Sequence, residues 1–74
     1  MAGSGTIYRL DRSGHGVVAK WDDSKTTRIT AETAFNEAIA LGGAVADLET
    51  SEFVRHFDPD TQTGLLIVPQ LHGG

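Results

Sequence analysis

The chain has 74 residues, with ten acidic against six basic side chains, three histidines, nine glycines and no cysteine, for a formal charge of −4. That length allows one domain, which buries about 60% of its unfolded surface and leaves little room for a deep catalytic cleft. Without cysteine there is no disulfide, thiolate-ligated zinc, iron–sulfur cluster or thiol nucleophile. The acidic balance argues against non-specific nucleic-acid binding, which needs clustered Lys and Arg. No apolar run approaches the ~18 residues of a membrane span, and no basic-then-apolar signal pattern opens the chain, so a cytoplasmic protein is expected.

Residues 1–5 read as a flexible N-terminus or a cloning remnant, residues 6–71 as a single domain and residues 72–74 as a flexible tail. From Thr6 the chain alternates, with Ile7, Arg9 and Asp11 on one face and Tyr8, Leu10 and Arg12 on the other. Ser13-Gly14-His15-Gly16 is a cluster of turn residues, and Val17–Trp21 is β-branched and aromatic, so the two runs predict a hairpin. Asp22–Arg28 reads as a polar loop. Thr30 then precedes Ala31, Ala34, Phe35, Ala38 and Ile39, the spacing of an amphipathic helix of about eleven residues. In this reading Thr30 is the N-cap, Glu32 lies near the positive end of the helix dipole, and Gly42 ends the helix.

Ala44–Leu48 is open between a short strand and a further helical turn. Phe53–Phe57 predicts a strand with Phe53, Arg55 and Phe57 on one face. Asp58–Gly64 is a turn, and Leu65–Val68, with no alternation, predicts a strand buried on both faces in the middle of a sheet. The expected order is a hairpin, one helix and two or three further strands, an α+β fold.

Few residues invite catalysis. His15, His56 and His72 lack the close spacing of a helical zinc pair, and the glycine-rich turn at 13–16 leads into a strand rather than a phosphate-binding helix N-terminus. Ser13 has no nucleophile-elbow context. Asp22, Asp23, Asp58 and Asp60 lack the ligand spacing of a calcium loop. Trp21, Tyr8, Phe53 and Phe57 read as core or half-buried hairpin residues. No catalytic residue, bound cofactor or metal is expected.

The last residues are different. Two glycines close the chain after a strand signal and four intervening residues, a pairing that chance alone gives in about one sequence in two hundred at ~7% glycine. A terminal diglycine has no side chains beside its carboxylate and can lie extended in a narrow channel, which is what an enzyme activating that carboxylate requires.

The segment Leu65-Leu66-Ile67-Val68-Pro69-Gln70-Leu71-His72-Gly73-Gly74 resembles the last strand and tail of the ubiquitin-like β-grasp proteins. Leu71 matches the family's tail leucine, while Gln70 and His72 stand where basic residues would be. Pro69 is similar to the small sulfur carriers of molybdopterin and thiamine synthesis. The Gly-rich hairpin turn and the long polar 58–64 turn depart from the pattern, and the family's hydrophobic recognition patch is not evident in the sequence.

The resemblance implies a β-grasp fold, ββαββ(β), with one helix on a mixed sheet. It implies that an adenylating enzyme of the ubiquitin-activating type, using ATP and magnesium, activates Gly74. Conjugation to a lysine or conversion to a thiocarboxylate sulfur donor would follow. Further partners would be a conjugating enzyme, a JAB-type protease or a sulfur acceptor. Gly73 and Gly74 would be the reactive end, and Pro69, Gln70, Leu71 and His72 would guide it. Lys20 and Lys25 would be the only conjugation lysines. The other reading is a small αβ interaction module, such as an adaptor, phage component or inhibitor, whose Gly-Gly end is incidental.

Overall fold

The computed structural model describes residues 3–70. The apolar run forms β5 (Gly64–Val68), which occupies the centre of a five-stranded mixed sheet. The other strands are β1 (Gly5–Asp11), β2 (Gly14–Trp21), β3 (Ala44–Asp47) and β4 (Glu52–Val54). Their order is β2-β1-β5-β3-β4. β5 runs parallel to β1 and antiparallel to β3, while β1–β2 and β3–β4 are antiparallel pairs. One helix, α1 (Lys25–Ala40), covers one side of this sheet. The architecture is α+β and compatible with a β-grasp.

The core lies between the two layers. Ile7, Val45, Leu65 and Ile67 of the sheet are buried against Ala31, Phe35 and Ala38 of the helix, with Trp21 closing one end. The expectation that β5 is buried on both faces holds for one of them. Leu65 and Ile67 are 0% and 6% exposed, whereas Leu66 and Val68 are only half-buried. A single helix can cover one face of a sheet, and nothing in the described residues covers the other.

α1 begins a turn and a half earlier than the amphipathic stripe predicts, so most of the Asp22–Arg28 loop is helical. Ser24 holds the N-cap position, but its side chain makes no cap bond. Asp22 fixes the approach to the helix instead: its carboxylate accepts the Ser24 amide at 2.7 Å and the Thr27 hydroxyl at 2.8 Å, while its own amide donates to the Thr27 hydroxyl at 3.0 Å. Arg28 donates to the Asp22 carbonyl and pairs with Asp60 at 3.0 Å. Thr30 is therefore no cap. Its hydroxyl bonds the Thr26 carbonyl inside the helix, and Glu32 lies beyond the first turn. The first turn carries no apolar residue, which hides it from a periodicity reading. Ile39, expected in the stripe, is 37% exposed.

The helix ends where Gly42 predicts. Gly42 adopts a φ of +88°, its amide donates to the Ile39 carbonyl, and the Gly43 amide reaches back to Ala38. This is a Schellman closure, which a side chain at Gly42 would strain.

Ala44–Asp47 resolves as a strand. The strand expected over Phe53–Phe57 is shorter, Glu52–Val54, and its phenylalanines part company. Phe53 is 72% exposed, while the chain bends at Arg55–His56 and returns Phe57 to the helix side. There Phe57 meets the Trp21 ring edge-on at 5.0 Å and Phe35 at 6.0 Å. The bend is held by Gln62, a buried amide that accepts the Asp58 amide at 2.7 Å and donates to the His56 carbonyl at 3.0 Å. Trp21 in turn donates its indole N–H to the Pro59 carbonyl at 3.1 Å. Gly5 opens β1 beneath the Trp21 ring, where a Cβ would collide with it.

Candidate functional site

Pro69 and Gln70 directly follow β5, and the register fixes where they lie. Val68 pairs with Ala44, so the chain leaves the sheet beside the turn that ends α1. Pro69 is half-buried and Gln70 exposed. Leu71, His72, Gly73 and Gly74 lie outside the described residues.

Two grooves flank this exit. On the helix side, Ala34, Ala38 and Leu41 face Ile67, Pro69 and Gln70 across a groove of about 290 Å³. On the other side, Arg9, Leu10, Asp11, Arg12, Val68 and Pro69 line a more apolar one of about 480 Å³. Arg9, Asp11 and Arg12 place charges of both signs beside the exit.

Lys20 and Lys25 are both exposed, Lys20 in β2 and Lys25 as the first residue of α1. Lys20 pairs with Thr6, which pairs with Gly64, the first residue of β5. The two lysines therefore sit at the end of the sheet away from Pro69. They are not brought together with the tail-guiding residues.

The sheet register assembles a feature that no strand shows alone. Val17 pairs with Tyr8, Tyr8 with Leu66, Leu66 with Ala46 and Ala46 with Phe53. These five apolar or aromatic residues form one row across all five strands on the face opposite α1. Val17 and Phe53, at its ends, are 55% and 72% exposed, and Tyr8, Leu66 and Ala46 are half-buried. Contiguous exposed apolar surface of this kind marks an interaction face. In the strands, the neighbouring positions on this side are Thr6, Leu10, Lys20, Ala44 and Val68, without a carboxylate, although the chain is acidic overall. Sequence reading missed this row because it depends on pairing between distant strands. The one available signal is that a lone helix leaves half a sheet uncovered.

The fold shifts the titration of Asp22: the Ser24 amide first, then the Thr27 hydroxyl, hold its carboxyl below its ordinary value of 3.8. Its partners are helix-start groups, so the shift belongs to the fold. Among the described residues no three His, Cys, Asp or Glu side chains gather as a metal site, and no helix is long and apolar enough to cross a membrane. His56 contributes its carbonyl to the Gln62 bend.

Comparison with known proteins finds no family model, no curated protein and no solved structure that matches this chain.

Proposed function

We propose that this protein is a ubiquitin-like β-grasp carrier or modifier whose C-terminal Gly74 carboxylate is activated by an adenylating enzyme. A carboxylate oxygen attacks the α-phosphorus of ATP bound with magnesium on that enzyme, and pyrophosphate leaves. A thiol or persulfide of the partner then displaces AMP. The acyl thioester passes to a lysine amine, releasing the thiol; alternatively, a second thiol of the partner cleaves the S–S bond of the acyl persulfide, forming a disulfide with the first and leaving at Gly74 a thiocarboxylate that donates sulfur. The small protein supplies a reactive end and a docking face, and the partner supplies the catalytic groups.

The observation that carries this reading is the position of β5. The strand is central, parallel to β1, and releases the chain at Pro69 with the uncovered apolar row of Leu66 and Phe53 beside it. A partner seated on that row would receive the emerging tail. Lys25 opens α1 away from that face, and Lys20 lies on it at the end away from Pro69.

The test is incubation with ATP, magnesium and an adenylating enzyme of this type, followed by intact mass measurement. The expected product is an adenylate, thioester or thiocarboxylate at Gly74, abolished by deleting Gly73-Gly74. A second reading, a non-enzymatic interaction module, is favoured by the same apolar row. It predicts partner binding that survives the deletion and is lost with Phe53→Ser.

A further inference from the structure

The connection from β4 to β5, residues 55–63, contains neither strand nor helix, yet it is fastened to the body at several points. Phe57 packs edge-on to Trp21 and beside Phe35, and the buried Gln62 amide bonds both His56 and Asp58. The Trp21 indole N–H donates to the Pro59 carbonyl, and Arg28 of α1 pairs with Asp60. The N-terminal side adds a further fastening. Gly3 is buried, and a Cβ there would collide with the Pro59 carbonyl and lie 2.8 Å from the Asp60 Cα. A Cβ at Gly5 would collide with the Trp21 ring and lie 2.6 Å from the Thr63 carbonyl oxygen. The Thr6 amide donates to that same carbonyl at 3.1 Å. Residues 3–6 thus run against residues 59–63, backbone to backbone, with no space for a side chain at either glycine, while Ser4 between them faces solvent.

From this geometry we infer that residues 3–5 are a bolt: seated against Pro59, they hold the 55–63 connection closed over Trp21, Phe57 and Phe35. Their release opens the connection as one unit while the sheet stays paired. The opening is collective because its fastenings meet at the same groups. The carbonyl that receives the indole N–H is the one that rests on Gly3, so moving it leaves a donor unpaired on a ring only 2% exposed. Gln62 holds both flanks of Asp58–Thr61, so that turn does not loosen piecemeal. The sheet survives because β5 pairs with β1 and β3 from Gly64 onward, and Ile7, Val45 and Leu65 keep Ala31 and Phe35 as their cover. Local units of this kind open at lower free energy than the whole fold. The open form bares the Trp21 and Phe57 rings between the end of β2 and the start of α1. This device is independent of Gly74 and its activation.

The experiment is native-state hydrogen exchange on the full chain, read by NMR in low concentrations of urea. Trp21 is the single tryptophan, so its indole N–H gives one unambiguous signal, and the Gln62 amide, bonded to the Asp58 carbonyl, reports the turn. In the wild type these two exchange through one common opening, with protection about tenfold or more below that of the slowest sheet amides. Gly3→Ala adds the methyl group that the Pro59 carbonyl excludes. It lowers the protection of both reporters about tenfold and leaves the slowest sheet amides within about twofold. Ser4→Ala, at the exposed position between the glycines, changes neither reporter.

Wild-type protection of the indole equal to that of the slowest sheet amides overturns the device, since the connection then opens only with the whole fold. Separate openings for Trp21 and Gln62 overturn the single unit. A Gly3→Ala variant that leaves both reporters unchanged overturns the bolt. One that fails to fold, or weakens every amide alike, does the same by placing residues 3–5 in the global core.

Discussion

The two faces of the central sheet are built from the same strands and have opposite fates. Leu65 and Ile67 point toward α1 and are nearly inaccessible, whereas Leu66 and Val68 between and beside them stay half-buried. Side-chain hydrophobicity does not separate the two sets. The number of layers does: one helix buries one face, and the apolar row from Val17 to Phe53 is left over. Stability therefore resides on one side of the sheet, and the surface free for recognition lies on the other.

Substitutions can break this comparison. The largest effect belongs to Leu65→Ala, which opens a cavity against Phe35 and Ala31 and costs about 2–5 kcal/mol, enough to unfold much of so small a domain. Leu66→Ala, one residue on, costs about 1 kcal/mol by its partial burial. Urea denaturation of both reads the difference directly, and equal losses would mean that the open face is covered after all.

Gln62→Ala comes next. It strips the His56 carbonyl and the Asp58 amide of their partner and costs about 1–3 kcal/mol. The indole fluorescence of Trp21, bonded to this loop through Pro59, should report its loosening before global unfolding.

A smaller effect comes from pH. Asp22 has a lowered pKa when folded, so its contribution is present above the unfolded value near 3.8 and fades as pH falls through the folded one. Asp22→Asn should remove this contribution at neutral pH, a small loss because Asp22 is exposed, and flatten the acid side of the profile so that the two proteins converge below about pH 4. Thermal melts across that range measure it.

The smallest expected change in stability is for Phe53→Ser, within about 0.5 kcal/mol, yet this variant should show the clearest loss of partner engagement. A large destabilisation would place Phe53 in the core and remove the distinction between the faces.

Much of the fold was legible because local signals agreed with it. The hairpin showed in its alternation and glycine turn, the helix end in Gly42, and the central strand in the unbroken run at 65–68. The helix start was obscured, since Thr26 and Thr27 look like loop residues until Asp22 bonds Ser24 and Thr27 into the first turn. Phe53 and Phe57 share a strand by spacing alone. The bend that parts them depends on Gln62, whose burial no local pattern announces. The apolar row was illegible for a deeper reason: each strand gives it a single member, and only register joins them.

The placement of β5 also governs how the protein assembles. The β1–β2 and β3–β4 hairpins are each local, yet they do not touch one another in the sheet; every strand pairing between them passes through β5. Each hairpin can form early, but the sheet closes only when a segment more than fifty residues downstream of β1 inserts between them. Folding is then a late, cooperative event with high contact order, and a chain truncated before Gly64 is left with two hairpins that no strand joins.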